Sequence, residues 1–437
     1  MAQPIGSPEP PAQAPAESVH ESAQSDLELK FRRRDLLFLL PAMLAMYGLY
    51  QGIQQVLLPG HVESIDSAAK VDNLAILSVV SSVAATIALP LGGALSDRTR
   101  SRFGRRAPWL AVTAVMCAGL AVAMGLMTTL LGLAIVYGAL WFAMNWYQGV
   151  VYAVIPDRIP ERLRGTASSL VGLALPLGTL VFVNVVSRTT RELGYAILGI
   201  AVVVGTVLLL VGAPDRAVTG TGTAAAPKAE RRAWSARLVA PFASFRNRDF
   251  TLVFLSRIMF FFGLFAVSTY LYYIFTDYIG MENVPMDTPE KAVGLAASVI
   301  TVSQVITVAV VGWVVDRYDR RKLAVGLSSL GLAVGFAIPL IWPTWGGMLA
   351  YAAVYGAASG VYFAVDLALM SLVLPSTGDE GRDLGLLAIA TSVPSAFAPV
   401  VSAQLLRLFH SYASLFVFGI VAAVAGAALV LAVRKVR

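Results

Sequence analysis

The residues best equipped for chemistry are two charges set deep in apolar sequence. Arg257 lies eight residues after Asp249, and Asp366 nine residues before Pro375. As helix, those separations are about 12 and 13 Å. Measured from one face of a membrane, both charges reach the same level, where they can form a salt bridge. A bare charge at that depth costs several kcal/mol, and pairing or cavity water lowers the cost. Two roles fit: a static pair that holds helices together, or a switch in which Asp366 takes up a proton when Arg257 moves away. The placement favours the switch. No histidine competes for it, because His20 falls in the N-terminal segment while His61 and His410 fall between apolar runs. Sodium wants several oxygen ligands, so a single deep carboxylate ranks the proton first.

Around these charges run three polar stripes. Tyr47, Gln51 and Gln54 share a narrow arc at 100° per residue, with Tyr50 beside it. Trp141, Asn145 and Gln148 form a second stripe. Tyr351, Tyr355, Tyr362 and Asp366 form a third, about 60° wide. Phenols and amides are costly against lipid, so these faces turn inward, either to bond neighbouring helices or to line a wet cavity. Rings mixed with amides suit a neutral polyhydroxylated ligand, which stacks its apolar face and hydrogen-bonds its edges. A nucleoside or a modest aromatic compound would fit equally. A phosphate ester or dicarboxylate would need more than the lone Arg257.

The elements that position these groups follow from composition. The 437 residues are 57% hydrophobic and 14% charged, with a mean hydropathy of +0.73, where a soluble domain carries about 25% charge. The apolar residues form runs of roughly 20, the length of helix that crosses hydrocarbon. The reading is an all-α polytopic membrane protein of twelve transmembrane helices, at about 36–58, 74–96, 108–128, 131–156, 166–187, 193–212, 250–278, 291–315, 323–343, 347–374, 383–405 and 412–433. An N-terminal tail (1–32), rich in Pro, Ala, Ser and Glu, reads as disordered and lacks the basic start of an export signal. A six-helix bundle (33–212), a central loop (213–249), a second bundle (250–434) and a short C-terminus (435–437) follow. Cys117 is the single cysteine, which excludes disulfides and thiolate metal sites within one chain.

Charge sets the orientation. With the N-terminus cytoplasmic, 27 of the 33 Lys and Arg residues fall on the inner side, a strong positive-inside bias. Both termini are then cytoplasmic, in a plasma membrane and most simply a bacterial one. The net charge of +7 points to anionic headgroups on the cytoplasmic side, and to no nucleic acid.

The turn after span 2 appears twice. Gly93-Ala-Leu-Ser-Asp97-Arg98 is followed by Gly104-Arg105-Arg106, and after span 8 Gly312-Trp-Val-Val-Asp316-Arg317 is followed by Arg320-Arg321-Lys322. Arg-Asp opens spans 1 and 7, and Pro156 and Pro375 close spans 4 and 10. Three matches in register describe a duplicated 6+6 chain, an architecture suited to rocking one half against the other. Asp97 is unfavourable at the C-terminal end of its own helix and better placed against the start of another. Arg98, Arg105 and Arg106 can pair with acids or lipid phosphate, and Gly93 permits close helix approach. Such a latch would form in one state of a cycle and bias the populations. Asp157, with Arg162 or Arg164, forms a gate pair at the same mouth.

These residues resemble the major facilitator superfamily, whose signature between helices 2 and 3 is G-x-x-x-D-R-x-G-R-R. The longer S-D-R-T-R-S-R-F-G-R-R-A-P-W is similar to the sugar:cation symporters, meaning the glycoside–pentoside–hexuronide carriers and sucrose transporters. Ile155-Pro156-Asp157, Arg164-Gly165, Val365-Asp366, Leu374-Pro375 and Asp383-Leu384-Gly385 extend the resemblance. It implies a cavity lined by helices 1, 4, 7 and 10. It also implies contact of Asp97 with the start of helix 11 near Asp383, and of Asp316 with helix 5 near Gly165. The second turn departs from the pattern, since Asp319 replaces a glycine.

The expected function is a monomeric secondary transporter that moves a small polar solute, a sugar or glycoside, by alternating access. It would need no cofactor beyond an ion gradient, the proton's, in symport. A proton-driven exporter of drugs or metabolites and an uncoupled facilitator are the alternatives. An enzyme would need clustered Asp, His or Cys near one interface, and a pump would need a G-x-x-x-x-G-K-[ST] loop. The sequence has neither.

Overall fold

A computed structural model of the chain describes residues 37–158, 164–215, 245, 247–318, 321–373 and 380–434. The 1–32 tail and most of the central loop lie outside them. The first half holds α1 (Leu37–Ile65), α2 (Lys70–Arg98), α3 (Ala107–Gly125), α4 (Leu130–Arg158), α5 (Arg164–Val186) and α6 (Arg191–Gly212). The second holds α7 (Arg248–Ser268), α8 (Pro289–Tyr318), α9 (Arg321–Ile341), α10 (Trp345–Val373), α11 (Glu380–Phe409) and α12 (Ala413–Leu431). Among the described residues, eleven of these are long and apolar enough to cross a membrane, and α5 adds the shorter apolar stretch Gly172–Val186. The protein is an all-α polytopic membrane protein.

Local chemistry sets the helix starts. Asp66 accepts a hydrogen bond from the Ala69 N–H just before α2, and Thr190 caps α6 by accepting from the Leu193 N–H. Asn247 accepts from the Asp249 and Phe250 N–H groups at the head of α7. Each cap satisfies donors that the first turn leaves open. The first helix of each half also carries a π-helical segment, Ile53–Leu57 in α1 and Ile274–Gly280 just beyond α7. Such segments interrupt the regular register and are frequent at functional sites.

Packing repeats at an interval of six helices. α2 packs on α4, α4 on α3, and α3 on α6; likewise α8 packs on α10, α10 on α9, and α9 on α12. α7 lies against α11 and α12. Correspondingly, Gly178 of α5 and Gly205 of α6 approach the α1 backbone at Leu44 and Ala42. Between the two sets, α2 meets α11 and α5 meets α8. Val115 on α3, Val211 on α6, Val334 on α9 and Val421 on α12 are exposed, as side chains facing hydrocarbon would be. Helices satisfy their own backbone polar groups, which is why they tolerate that environment.

The two ends of the molecule differ. One, here the basic end, carries the α2–α3 turn and the C-terminal end of α4. The other, the far end, carries the α1–α2 and α7–α8 connections. Among the described residues, the hydrogen bonds and ion pairs joining α1–α6 to α7–α12 lie toward the far end. Tyr270 donates to the Val71 carbonyl at 3.2 Å and Tyr273 to the Pro59 carbonyl at 3.0 Å. Asn184 donates to Ser298 at 2.6 Å, and Lys70 meets Asp277 at 2.8 Å.

Candidate functional site

In the first half, α1 and α4 turn phenols and amides toward one another. The Tyr47 and Tyr152 hydroxyls are 2.5 Å apart, the Gln148 amide donates to Tyr152 at 2.9 Å, and Tyr50 donates to the Gln148 carbonyl at 3.2 Å. Trp141 packs edge-on against Tyr50, with ring centroids 5.1 Å apart. Tyr137 packs against Trp141 on the same helix, with ring centroids 4.6 Å apart. All of these groups are uncharged, and Tyr47, Tyr50, Gln148 and Tyr152 remain partly exposed. Gln51 is half-buried beside them and Gln54 is exposed, within the π segment.

In the second half, Arg257 of α7 donates to Asp366 of α10 and, through Nε and Nη2, to Thr391 of α11 at 3.1 and 3.0 Å. Both charged side chains are largely buried. Tyr362, one turn from Asp366, stacks on Phe260 of α7 with centroids 3.6 Å apart. The guanidinium also lies 5.2 Å from the Phe261 ring centre. Equal depth on facing helices therefore becomes an ion pair, with Thr391 as a third partner from α11.

Other stripe residues sit elsewhere than the 100° wheel implies. Tyr351 is buried among Phe336 of α9, Tyr355 and Phe416 of α12, inside the second bundle. Tyr355 is buried too, against Phe336. Asn145 is buried and donates to the Trp141 carbonyl of its own helix. These three pack the bundles. His61 is fully buried in α1 rather than in a loop, with Nε2 2.8 Å from the Met127 carbonyl and Nδ1 3.3 Å from the Tyr195 hydroxyl. The contact to a carbonyl places its proton on Nε2, so Tyr195 donates to Nδ1.

The basic turn is a knot centred on Arg106, whose side chain is 4% exposed. It donates to Asp97 at 2.5 Å, to Asp157 at 3.0 Å through Nε, and to Ser96. Arg105 adds a bond to Asp157 at 2.8 Å, and the Arg106 N–H donates to Asp215 at 2.8 Å. Asp157 thus pairs with Arg105 and Arg106; the expected partners Arg162 and Arg164 lie outside the described side chains. Asp97 is held by Arg106 of its own half, and the start of α11 near Asp383, its expected partner, lies outside the described side chains. The side chains of Arg164, Gly312, Asp316 and Asp383 lie outside the described residues, whereas Arg98 and Arg317 are exposed.

The close glycine contact also differs from expectation. A Cβ at Gly93 would meet nothing within 4 Å, whereas one at Gly92 would lie 2.4 Å from the Trp146 carbonyl oxygen. Gly104 has φ +94°, and its Cβ would lie 2.3 Å from the Asp215 carboxyl. Gly104→Ala is expected to cost about 1–2 kcal/mol from the left-handed backbone alone, with the clash in addition. Thermal unfolding in detergent should show a lower Tm for Gly104→Ala and an unchanged Tm for Gly93→Ala.

The family model described as Major Facilitator Superfamily matches residues 3–183, 42–289 and 275–437. The chain belongs to the major facilitator superfamily. Solved structures agree at the level of fold. A mutant of the nucleoside transporter NupG aligns with TM-score 0.69 and 16% identity over 91% of this chain and 98% of that one. The peptide transporter POT in complex with sulfate aligns with TM-score 0.68 and 16% identity over 91% and 94%. No curated protein sequence matches. As a superfamily member the protein is a transporter of small molecules across a membrane, not an enzyme. Among the described residues there is no group of His, Cys, Asp and Glu suited to a metal ion.

Sequence reasoning missed Tyr152, Thr391 and Asp215. Tyr152 follows Gln148 by one helical turn and extends its stripe, so a signal existed. Thr391 and Asp215 carried none, because an isolated Thr or a loop Asp is indistinguishable from many others.

Proposed function

We propose that this transporter carries a neutral, polyhydroxylated solute, a sugar or glycoside, in symport with protons. Its twelve helices would form two six-helix halves that rock about a central crevice. The observation that carries the reading is the Tyr47–Tyr152–Gln148–Tyr50 network, a partly exposed set of neutral donors and acceptors flanked by the Trp141 ring. A sugar needs paired donor–acceptor groups for its hydroxyls and an aromatic face for its C–H surface. A charged substrate would leave that network without a counter-ion.

Coupling falls to Asp366. With Arg257 in place the carboxylate is paired; both groups belong to the second half, so the pair parts only when α7 shifts against α10 within that half, and protonation then becomes the cheaper state for a buried acid. Orientation follows from the basic residues, which put the basic end in the cytoplasm. The bonds across the far end then support a state closed to the outside. The S-D-R-T-R-S-R-F-G-R-R turn supports a place beside the glycoside–pentoside–hexuronide and sucrose carriers.

The test is counterflow in proteoliposomes with labelled glycosides, hexoses and nucleosides, with and without a pH gradient. Sugar exchange, with accumulation only under the gradient, is expected. Exchange of nucleosides alone would overturn the sugar assignment. Gln148→Ala should raise the half-saturation concentration about tenfold, since one lost hydrogen-bonding partner in a buried site is worth about 1–1.5 kcal/mol. An unchanged value would remove the network from the binding site.

A further inference from the structure

The connection across the far end is built around one cation. The Lys70 ammonium, at the first residue of α2, lies 2.6 Å from Glu63 of α1 and 2.8 Å from Asp277 of the π segment beyond α7. It also sits 4.8 Å from the Tyr273 ring centre, and its side chain is only 12% exposed. Asp277 is fixed in turn. Tyr412, just before α12, donates to its Oδ2 at 2.7 Å and Thr276 to its Oδ1 at 2.9 Å. Burial and the Asp277 carboxylate both push the Tyr412 phenol above its ordinary pKa, so it stays a donor.

We propose that Lys70 is the pin of the far-end gate: the cation through which α2 of one half holds Asp277 of the other, and whose release sets how readily the far end opens. This rests on the rocking mechanism proposed above. The two carboxylates have different jobs. Glu63 belongs to the same half as Lys70, so the Glu63–Lys70 pair survives any rigid rotation of the halves. The Lys70–Asp277 pair spans the halves and must break on opening. The neighbouring Arg407–Asp72 pair also links α11 to α2, at 2.7 Å, but Arg407 is 58% exposed. Solvent-exposed pairs of that kind contribute little. The Tyr270 and Tyr273 bonds are to backbone carbonyls, and water can replace them one for one. Removing Lys70 does more than delete a bond, because it leaves two carboxylates facing each other across the seam.

Ser187 reports on the gate. It is 4% exposed and faces Gly294 of the other half, where a Cβ would lie 2.6 Å from its hydroxyl. Ser187→Cys, made with Cys117→Ala, puts a thiol there with little change in size. Its reaction rate with a membrane-impermeant thiol reagent, added outside right-side-out vesicles, measures opening. Lys70→Met and Asp277→Asn should each raise that rate about tenfold. Lys70→Arg should stay near the parent, and Glu63→Gln and Arg407→Gln within about twofold of it. Equal increases for Glu63→Gln and Asp277→Asn would show loosened packing instead of a pin, and would overturn the proposal. An unchanged rate in Lys70→Met and Asp277→Asn would do the same. Should Lys70→Met fail to reach the membrane, the Asp277→Asn and Glu63→Gln contrast decides alone. The outcome is separable from that of the rocking mechanism, since substrate-dependent labelling of the Ser187→Cys parent tests the latter without touching Lys70.

Discussion

Replacing Asp366 by Asn is expected to abolish gradient-driven accumulation while leaving counterflow measurable. Asn keeps the shape and can still accept from Arg257, but it cannot hold a transferable proton. Accumulation should fall at least tenfold, to the level of equilibration, and the dependence of uptake on outside pH should vanish. The single variant takes the carboxylate away from the Arg257 cation, and removing one partner of a buried pair is costly, about 3–5 kcal/mol. The double variant Arg257→Gln with Asp366→Asn removes both charges and should express better than Asp366→Asn while remaining uncoupled. Normal accumulation by Asp366→Asn would place coupling elsewhere.

Arg106→Ala should be among the most damaging substitutions outside the crevice. The buried guanidinium joins α2 through Asp97 and Ser96, and α4 through Asp157. Its loss leaves two carboxylates without their shared cation. Asp97 is 58% exposed and can hydrate, which moderates the cost to about 2–4 kcal/mol. Thermal unfolding in detergent should show the loss. Arg106→Lys should not restore stability, because an ammonium cannot present a planar fork to Asp97, Asp157 and Ser96 together. Arg98→Ala, an exposed neighbour, should leave the Tm unchanged.

The helices were legible because hydrocarbon imposes one rule on long segments: stay apolar and bond internally. The sequence boundaries for α3, α6 and α9 lie within three residues of the observed ones, α2 and α11 run slightly longer than read, and the largest departures are at α1 and α7, where π segments extend or bend the chain. The match of Arg257 to Asp366 was legible as well, since helix rise turns sequence distance into depth. What periodicity could not decide was the inward side to which a stripe points. Tyr351 and Tyr355 lie on the polar face of α10 yet sink against Phe336 of α9, because an amphipathic face can turn to the crevice or to its own bundle, and both are away from lipid. The basic turn was read as a latch between halves; the structure joins it to Asp157 and Asp215 of the same half, while the side chains of Asp316 and Asp383 lie outside the described residues. Which acid Arg106 would meet depended on how the α4 and α6 ends converge, and local sequence does not encode that convergence.

Two distances on the same molecule test the rocking claim most directly. In the Cys117→Ala background, spin labels at Leu126 and Trp342, exposed in turns at the far end on opposite halves, report the far-end separation. Labels at Phe103 and Leu323, exposed at the basic end, report the other. Electron–electron resonance should show the two distances changing reciprocally as substrate and pH are varied, the far-end pair lengthening as the basic-end pair shortens. Distances that stay fixed during active transport, or that grow and shrink together, would contradict the account.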